Sequence, residues 1–492
     1  MNFVNSLHRI FCFDENNPIL FNSGLFFLFF TLLITIYSIV YKKKTLRNII
    51  VILFSLFFYY KLSGWFLFIL LLTTSIDYIL AISIEKSLKR IHKKIFLTIS
   101  IGASLGLLIY FKYTNFIIEG LYSLFGNSFK PLGIIFPIGI SFYTFRTISY
   151  IIDVYKENIK AEKNFLNYVF YMTFFPMLIA GPITRAKDFL PKLKKATLIK
   201  HYDINIGLFM ILQGLIKKAV IADYLGQYND LVFFMPESYS GFENLIAIYG
   251  YAIQLYFDFS GYTDMAMGIA RILGFPIENN FNKPYHALNI TDFWRRWHLT
   301  LSSWLRDYLF TPLSLKLRNW GKSGIIISLM VTFLICGLWH GASWTFVVWG
   351  GLQGIAMTWD ALTSKRRKKL RKKIKKPVYD VVSWIITFHL IVFMWIFFRS
   401  QDFKTAFTMF SRVFTDMDWS YFGPFLNVRS LYVILLMMSF AIYAIPLKWF
   451  GKISQQFINT PFWIKIILFV LVIQAIIQLQ SANMQPFIYA QF

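Results

Sequence analysis

Two histidines lie in segments where an imidazole could act on a substrate. His340 occurs in the apolar stretch ICGLWHGASW, between Gly337 and Gly341, which would let backbone or substrate approach closely. His298 occurs in TDFWRRWHLTLSSWLR (residues 291–306), where an amphipathic interfacial helix explains the tryptophans and arginines but does not require a histidine. An imidazole ionises near neutral pH and can serve as a general acid or base. The spacing alone leaves a catalytic and a structural role equally open for both histidines.

Few other side chains have a spacing that suggests chemistry. Cys336 lies four residues before His340, so one helix would place both on the same face and a Cys–His nucleophile has to be considered. A thiol in an apolar helix is usually inert, which favours a structural role for Cys336. Asp258 and Asp264 flank Gly261 in LYFDFSGYTDMAMGI, and hydrogen-bonded structural carboxylates are the favoured interpretation there. The ligand spacing of a metal site does not occur, so we expect no metal.

The composition places these residues in a membrane protein. The 492 residues are 57% hydrophobic and 20% aromatic, and only 15% are charged, against roughly 25% in soluble domains. Continuous apolar runs, such as residues 19–41 and 62–84, have the length of about 20 residues that one bilayer crossing needs. The strands of a membrane barrel would alternate instead, and disorder or a disulfide-rich fold disagrees with the hydrophobicity and the two cysteines. We therefore predict an all-α polytopic membrane protein.

The distribution of charge predicts the orientation of the chain. Lys and Arg number 50 and Asp and Glu 24, which gives a formal net charge of +26. The cations cluster in short loops, most densely in KRRKKLRKKIKK at residues 365–376. This pattern is typical of cytoplasmic loops beside anionic lipids, and we expect no nucleic-acid partner. Counting crossings between these loops places both termini outside the cytoplasm, and the first residues lack the cleavage site of a removable signal peptide.

Two segments predict helices that are interrupted within the membrane. Glycines loosen the stretch between residues 322 and 365, where the simplest interpretation is two helices that meet at a glycine-rich bend. Residues 166–184 contain Pro176, Gly181 and Pro182, which predict re-entrant helices. Interrupted helices are tolerated at membrane depth only where protein or water covers them, so the glycine-rich bend marks a candidate site. We predict one membrane domain over residues 1–492, with roughly ten to twelve crossings.

Three longer segments resemble the membrane-bound O-acyltransferase superfamily. They are YFDFSGYTDMAMGIARILGFPIENNFNKPYHALNITDFWRRWHLTLSSWLRDYLFT (residues 256–311), GLWHGASWTFVVWGGLQG (residues 337–354) and AGPITRAKDFLPKL (residues 180–193). The resemblance is to the bacterial branch that contains the membrane subunits of alginate and peptidoglycan O-acetylation and the teichoic-acid D-alanyl transferase. Its motifs cover a core of about residues 181–354. The resemblance implies the fold of this superfamily, in which transmembrane, re-entrant and amphipathic helices surround a central tunnel.

The resemblance also implies roles for individual residues. The histidine of the Trp-His-Gly motif, here His340, is the signature catalytic residue of the superfamily, and His298 of the Trp-Arg-Arg-Trp-His segment is its partner. The division of roles between them stays open. A thioester donor would enter the tunnel from the cytoplasm, where Arg295 and Arg296 would attract its phosphates. The same motifs supply further tunnel or donor-side residues (Trp339, Trp297, Ser302) and structural positions (Asp258, Gly261, Asp264, Gly337, Gly341).

The C-terminal tail, residues 481–492, adds a second chemical idea. Phe487, Tyr489 and Phe492 in PFIYAQF reproduce a Phe-x-Tyr-x-x-Phe ending that resembles a small membrane peptide of the D-alanylation system. The tyrosine of that peptide is proposed to carry the acyl group. We hypothesise that Tyr489 forms a transient acetyl-tyrosine near His340 and hands the acetyl group to an extracytoplasmic partner. The alternative is an aromatic tail that anchors at the membrane interface.

These resemblances favour one function over several alternatives. We expect an O-acetyltransferase of the bacterial cytoplasmic membrane that uses acetyl-CoA as a substrate, binds no resident cofactor, and serves an extracytoplasmic partner similar to SGNH hydrolases. Its acceptor would be a cell-wall or secreted polysaccharide, with peptidoglycan favoured over alginate. A D-alanyl transferase for teichoic acids and a carrier-protein donor stay open. The alternative outside the enzymes is a transporter of lipids or sugars, which would also use interrupted helices.

Overall fold

The computed structural model of this protein describes residues 10–14, 18–195 and 199–479. These ranges contain α-, 3₁₀- and π-helices joined by loops, and no β-strand lies within them. The predicted all-α class is therefore confirmed. Contacts divide the chain into two compact units: the first comprises Met1–Ile211 and Tyr262–Glu278, and the second comprises Leu212–Gly261 and Asn279–Phe492. The single membrane domain predicted over residues 1–492 stays a prediction.

The first unit consists mainly of apolar helices near the N-terminus. Two of its helices are shared along the chain with the second unit: the last residues of His201–Leu215 and the first residues of Gly241–Ile272 belong to that unit. The helices are α1 (Gly24–Val40), α2 (Lys44–Ser63), α3 (Leu67–Lys86), α4 (Arg90–Leu108), α5 (Thr114–Leu124), α6 (Ile140–Tyr155), α7 (Phe165–Thr173), α8 (Phe175–Leu178), α9 (Ala186–Lys194), α10 (His201–Leu215) and α12 (Gly241–Ile272).

The helix interruption predicted between residues 166 and 184 is present. Helix α7 ends at Thr173 and the short α8 contains Pro176, whose ring cannot continue a helix without disruption. The last carbonyls of a helix lack partners within that helix. Here the buried guanidinium of Arg146 donates to the carbonyls of Tyr171 at 3.1 Å and Met172 at 2.9 Å. The Arg146 cation thus binds the C-terminal end of α7, where the helix dipole is negative.

The second unit contains the motif segments with both candidate histidines. Three π-helical stretches occur in the described residues, and Ile216–Ala222 and Arg306–Phe310 belong to this unit. Its further helices are α11 (Asp223–Phe234), α13 (Ile290–Trp294), α14 (Leu299–Leu305), α15 (Thr311–Lys316), α16 (Gly321–His340), α17 (Trp344–Lys373), α18 (Lys376–Arg399), α19 (Phe403–Thr415), α20 (Phe422–Val428), α21 (Ser430–Ala444), α22 (Leu447–Asn459) and α23 (Phe462–Leu479).

Helices α16 and α17 form the predicted pair that meets at a bend. The bend is shorter than the glycine pattern suggested, because it spans only residues 341–343, and Gly350 lies inside α17. Gly350 is instead a packing residue: its Cα lies 3.1 Å from the point where a Cβ on Gly337 would stand. Ser343 caps the N-terminus of α17 by accepting from the backbone N–H of Thr345. Close backbone contact and this cap together set the angle of the bend.

Several helices are long and apolar enough to cross a bilayer. Six described stretches meet this criterion, or seven if the bent pair Trp419–Val428 and Ser430–Ala444 counts as one span. The longest of them, Lys44–Lys86, has 43 residues and contains both α2 and α3, each 20 residues long. One crossing takes about 20 residues. The chain is thus a multi-pass membrane protein, whereas the predicted ten to twelve crossings stay a prediction.

Candidate functional site

His340 is the last residue of α16 and is almost completely buried, with 3% of its surface exposed. Three aromatic rings surround its imidazole. The ring centroids of Trp339, Trp349 and Phe398 lie 4.7 Å, 5.0 Å and 5.1 Å from that of His340. The Trp349 ring stands edge-on to the imidazole at 89°, a favourable arrangement for aromatic pairs. These contacts hold the imidazole in one orientation and exclude water from most of its surface.

The glycines on either side of His340 are required by packing. A Cβ on Gly341 would lie 2.1 Å from the ring of Phe346, and a Cβ on Gly337 would lie 2.3 Å from the carbonyl oxygen of the same residue. No side chain fits at such distances. The predicted structural role of both glycines is therefore consistent with the close approach of α17 to the end of α16.

His298 does not lie on the continuous amphipathic helix that was one interpretation of residues 291–306. Helix α13 ends at Trp294 and α14 begins at Leu299, and His298 itself has a φ of 42° and a ψ of 56°. This left-handed conformation costs a residue with a side chain roughly 1–2 kcal/mol, so neighbouring contacts must stabilise it. Backbone strain of this kind is frequent at functional sites. Apolar periodicity could not reveal it.

Asn280 supplies the contacts that hold the break at His298. Its Oδ1 lies 3.3 Å from Nδ1 of His298, and it accepts from the backbone N–H and the hydroxyl of Thr300 at 3.3 Å and 2.6 Å. Its backbone carbonyl accepts from the N–H of Leu299 at 2.9 Å. Sequence reasoning missed Asn280. The available signal was its position in the motif segment 256–311, only 18 residues before His298.

The environment of His298 keeps its imidazole neutral. None of its surface is exposed, and burial lowers its pKa to about 3. The ring of Phe259 stands edge-on to it, with the centroids 4.7 Å apart. On another side the indole of Trp339 lies 6.3 Å away, centroid to centroid, and the same indole contacts His340. The indole of Trp339 thus lies near both predicted histidines.

The other residues predicted beside His298 have distinct surroundings. Trp297 is buried and stacks on Phe293, with ring centroids 5.6 Å apart, and the hydroxyl of Ser302 donates to its carbonyl at 3.0 Å. The guanidinium of Arg296 pairs with the carboxylate one turn before it at 2.9 Å. Arg295 is exposed. Trp297 and Ser302 therefore support the break, whereas Arg295 is the cation most available to an anionic ligand.

Asp258 belongs to a buried ionic cluster. The ammonium of Lys218 pairs with a carboxylate oxygen of Asp258 and lies 2.8 Å from one of Asp223. A Cβ on Gly261 would lie 2.8 Å from the backbone nitrogen of Lys218, which explains why glycine stands at this helix crossing. The expected structural carboxylate is thus an ion-paired one. Asp264 lies on the part of α12 that belongs to the first unit and is half-buried.

The remaining predicted residues are less informative. Cys336 is fully buried one turn before His340. In the part of the chain that the structure describes, no three His, Cys, Asp or Glu side chains come together as a metal site requires. The tail with Phe487, Tyr489 and Phe492, residues 481–492, lies outside the described residues. Its proposed acyl relay therefore stays a hypothesis from the sequence.

Comparisons with known proteins agree with the motif segments. The profile of the membrane-bound O-acyltransferase (MBOAT) family matches residues 19–400. The chain is 37% identical to a peptidoglycan O-acetyltransferase of Helicobacter pylori over 357 residues, which cover 67% of this chain and 66% of that protein. It is 38% identical to a probable alginate O-acetylase of Azotobacter vinelandii over 362 residues, which cover 71% of this chain and 69% of the relative.

A more distant relative differs in the group named for transfer. A teichoic acid D-alanyltransferase of Bacillus subtilis is 30% identical over 280 residues, 56% of this chain and 71% of that protein. The matched regions span about two thirds of the length of the Helicobacter and Azotobacter proteins. The family match covers far more than half of the chain and includes His298 and His340. The chain therefore belongs to the membrane-bound O-acyltransferase family.

Proposed function

We propose that this protein is an O-acetyltransferase that passes acetyl groups across the membrane for the modification of a cell-wall or secreted polysaccharide, with peptidoglycan favoured. The observation that carries the proposal is that the buried imidazoles of His298 and His340 both lie near the indole of Trp339, in a chain of an acyltransferase family. The names of its relatives, a peptidoglycan O-acetyltransferase and probable alginate O-acetylases, support acetyl as the group and a polysaccharide as the acceptor.

The transfer needs one proton to move from oxygen to sulfur. The oxygen of an acceptor hydroxyl attacks the thioester carbonyl of acetyl-CoA while an imidazole takes the hydroxyl proton. The carbon–sulfur bond then breaks, and the departing thiolate receives that proton as free CoA. His340 is the base we favour, because three rings fix its orientation. His298, with its low pKa, is suited to accept a hydrogen bond and orient the hydroxyl rather than to hold a proton.

The C-terminal tyrosine would serve as the first acceptor in this scheme. The phenol oxygen of Tyr489 would take the acetyl group and pass it to an extracytoplasmic partner similar to SGNH hydrolases, which would acetylate the polysaccharide. This route requires the C-terminal tail to lie outside the cytoplasm, the side on which counting the crossings also puts the N-terminus. A fusion of a periplasm-dependent reporter, such as alkaline phosphatase, to the C-terminus tests that orientation. An inactive fusion that is inserted and stable would contradict it.

The experiment that tests the function is thioester cleavage by purified protein in detergent, followed through the free thiol of CoA. We expect turnover or a single-turnover burst in the wild type, no burst in His340→Ala, and a lost or smaller burst in Tyr489→Phe. Size-exclusion profiles and melting temperatures must show that both variants fold. Intact-mass analysis after donor exposure should find one acetyl group on Tyr489. Full activity of Tyr489→Phe together with an unmodified Tyr489 would refute the relay.

A second candidate is transfer of D-alanine, favoured by the similarity to the D-alanyltransferase of Bacillus subtilis. The same assay with a D-alanyl carrier protein in place of acetyl-CoA separates the two. Cleavage of the carrier thioester alone would replace our proposal. A transporter would cleave neither the acetyl-CoA thioester nor the carrier thioester, and its His340→Ala variant would keep its transport flux. The His340→Ala variant of a transferase would lose turnover without losing its fold.

A further inference from the structure

We propose that Asn280 is a positioning residue that holds His298 in one tautomer, with the proton on Nδ1 and the lone pair on Nε2. The consequence for catalysis rests on the proposed acyl transfer. The tautomer itself follows from hydrogen bonds within the second unit and can be tested without any substrate.

The orientation of the Asn280 amide is determined by its other partners. The atom that faces His298 is also the acceptor for the backbone N–H of Thr300 at 3.3 Å and for its hydroxyl at 2.6 Å. A backbone N–H can only donate, so this atom must be the carbonyl oxygen and not the amide nitrogen. A carbonyl oxygen only accepts. His298 Nδ1, 3.3 Å from the same oxygen, must therefore carry a hydrogen to bond with it.

The state of the other ring nitrogen follows from the chemistry of imidazole. A neutral imidazole has one N–H, and burial keeps His298 neutral at physiological pH. Because the hydrogen is on Nδ1, Nε2 presents a lone pair. A lone pair is what a substrate hydroxyl requires when it donates a hydrogen bond before it attacks the thioester. The opposite tautomer would present an N–H to that hydroxyl and would compete with its attack.

The segment 280–282 also fixes the backbone on both sides of the strained residue. The carbonyl of Asn280 accepts from the N–H of Leu299 at 2.9 Å, while its side chain accepts from that of Thr300. Two residues further, the N–H of Asn282 donates to the carbonyl of Arg296 at 2.9 Å. The segment around Asn280 thus lies alongside the break and makes hydrogen bonds before and after His298. Ring orientation and ring protonation are set by the same residue.

The direct test is nitrogen NMR of the full-length protein labelled with ¹⁵N in the histidine rings, at neutral pH. The chain has seven histidines, so the signals of His298 are identified as those missing from His298→Gln. We expect a protonated Nδ1 and an unprotonated Nε2. In Asn280→Leu, which has no acceptor, we expect this single form to be lost. Thr300→Val is the matched control, because it removes a neighbouring hydrogen bond but keeps the oxygen of Asn280.

Activity measurements then connect the tautomer to the reaction. Asn280→Leu should lower kcat by about 10- to 100-fold, the usual effect of losing a group that orients a functional histidine, with the KM for the donor changed much less. Asn280→Asp keeps an acceptor but adds a charge that favours the imidazolium, so the acidic limb of its pH–rate profile should move to higher pH. Thr300→Val should keep the wild-type pH profile.

Three outcomes would overturn the inference. They are an Nε2–H form of His298 in the wild type, an unchanged tautomer in a folded Asn280→Leu, and an equal kcat loss in Thr300→Val with no change in the pH profile of Asn280→Asp. The proposed function fails differently. A wild-type protein that shows the Nδ1–H form but cleaves no donor thioester would support the role of Asn280 and contradict acetyl transfer from CoA.

Discussion

Replacement of Gly337 by alanine should disable the protein by moving the end of α16. The added Cβ would lie 2.3 Å from the carbonyl oxygen of Phe346, a backbone atom that cannot rotate away. Ordinary contact begins near 3.4 Å, so α16 and α17 must separate by about 1 Å, and overpacking of this kind typically costs about 1–3 kcal/mol. His340 lies three residues further on the same helix. A displacement of about 1 Å at a reacting group can cost on the order of 100-fold in rate.

Gly351→Ala provides a matched control for this substitution. Both glycines lie in the α16–α17 pair, and both changes add the same methyl group and improve helix propensity by up to about 1 kcal/mol. The nearest atom to a Cβ on Gly351 is a methyl carbon of Leu334 at 3.7 Å, which is an ordinary contact. We therefore expect Gly351→Ala to keep the activity and the stability of the wild type.

The assay compares both variants by thermal unfolding in detergent and by cleavage of the donor thioester. We expect Gly337→Ala to melt at a lower temperature and to lose roughly two orders of magnitude in kcat. Equal behaviour of Gly337→Ala and Gly351→Ala would refute the argument, because it would show that the close contact of α16 with α17 does not position His340.

Three further predictions concern the charges of the second unit. Lys218→Met leaves the buried carboxylate of Asp258 and the half-buried one of Asp223 without this cation, and it should cost about 3–5 kcal/mol of unfolding free energy. Asp258→Asn keeps a one-to-one ion pair and should cost clearly less. Chemical unfolding in detergent ranks the two variants, and the reverse order would contradict the cluster. The pKa of His298 is about 3 in the folded protein and near 6.5 in an unfolded chain, so between these pH values only the unfolded chain binds a proton at this residue. The free energy of unfolding is therefore unaffected by His298 above about pH 6.5. Below that pH it falls by up to about 1.4 kcal/mol per pH unit. A folded His298→Gln variant with the same pH slope as the wild type would exclude this source. Arg295→Gln should raise the donor KM several-fold more than Arg296→Gln, because the guanidinium of Arg296 already pairs with a carboxylate; equal KM values would argue against steering of the donor.

The features that depend on local pattern were predictable from the sequence. The apolar run of α23 and the interruption at Pro176 follow from composition and from the chemistry of proline. The bend after His340 was predicted for the same reason, although the glycines within α17 serve helix packing instead. Family motifs identified both histidines, and the structure places them near a shared tryptophan.

Features that depend on distant contacts were not predictable. The left-handed backbone of His298 has no signature in apolar periodicity, and the residue that stabilises it, Asn280, lies 18 positions earlier in the chain. Lys218 and Asp258 are likewise far apart in sequence, and the position of a lysine in an apolar helix does not indicate which carboxylate it pairs with. A sequence on its own shows which residue types could form a buried network, but it does not show which of them pair.

The π-helical turn of Ile216–Ala222 has a consequence for how the protein is made. Its wider turn brings residues five positions apart onto the same side, so Lys218 reaches Asp223 within one continuous helical segment. A charge that enters a bilayer alone is costly. This segment carries its own counter-charge for Lys218, so that cation can enter the bilayer as half of an ion pair before α12 has been synthesised. Asp258 then joins a pair that already exists, and the order of the residues along the chain becomes the order in which the ionic cluster is assembled.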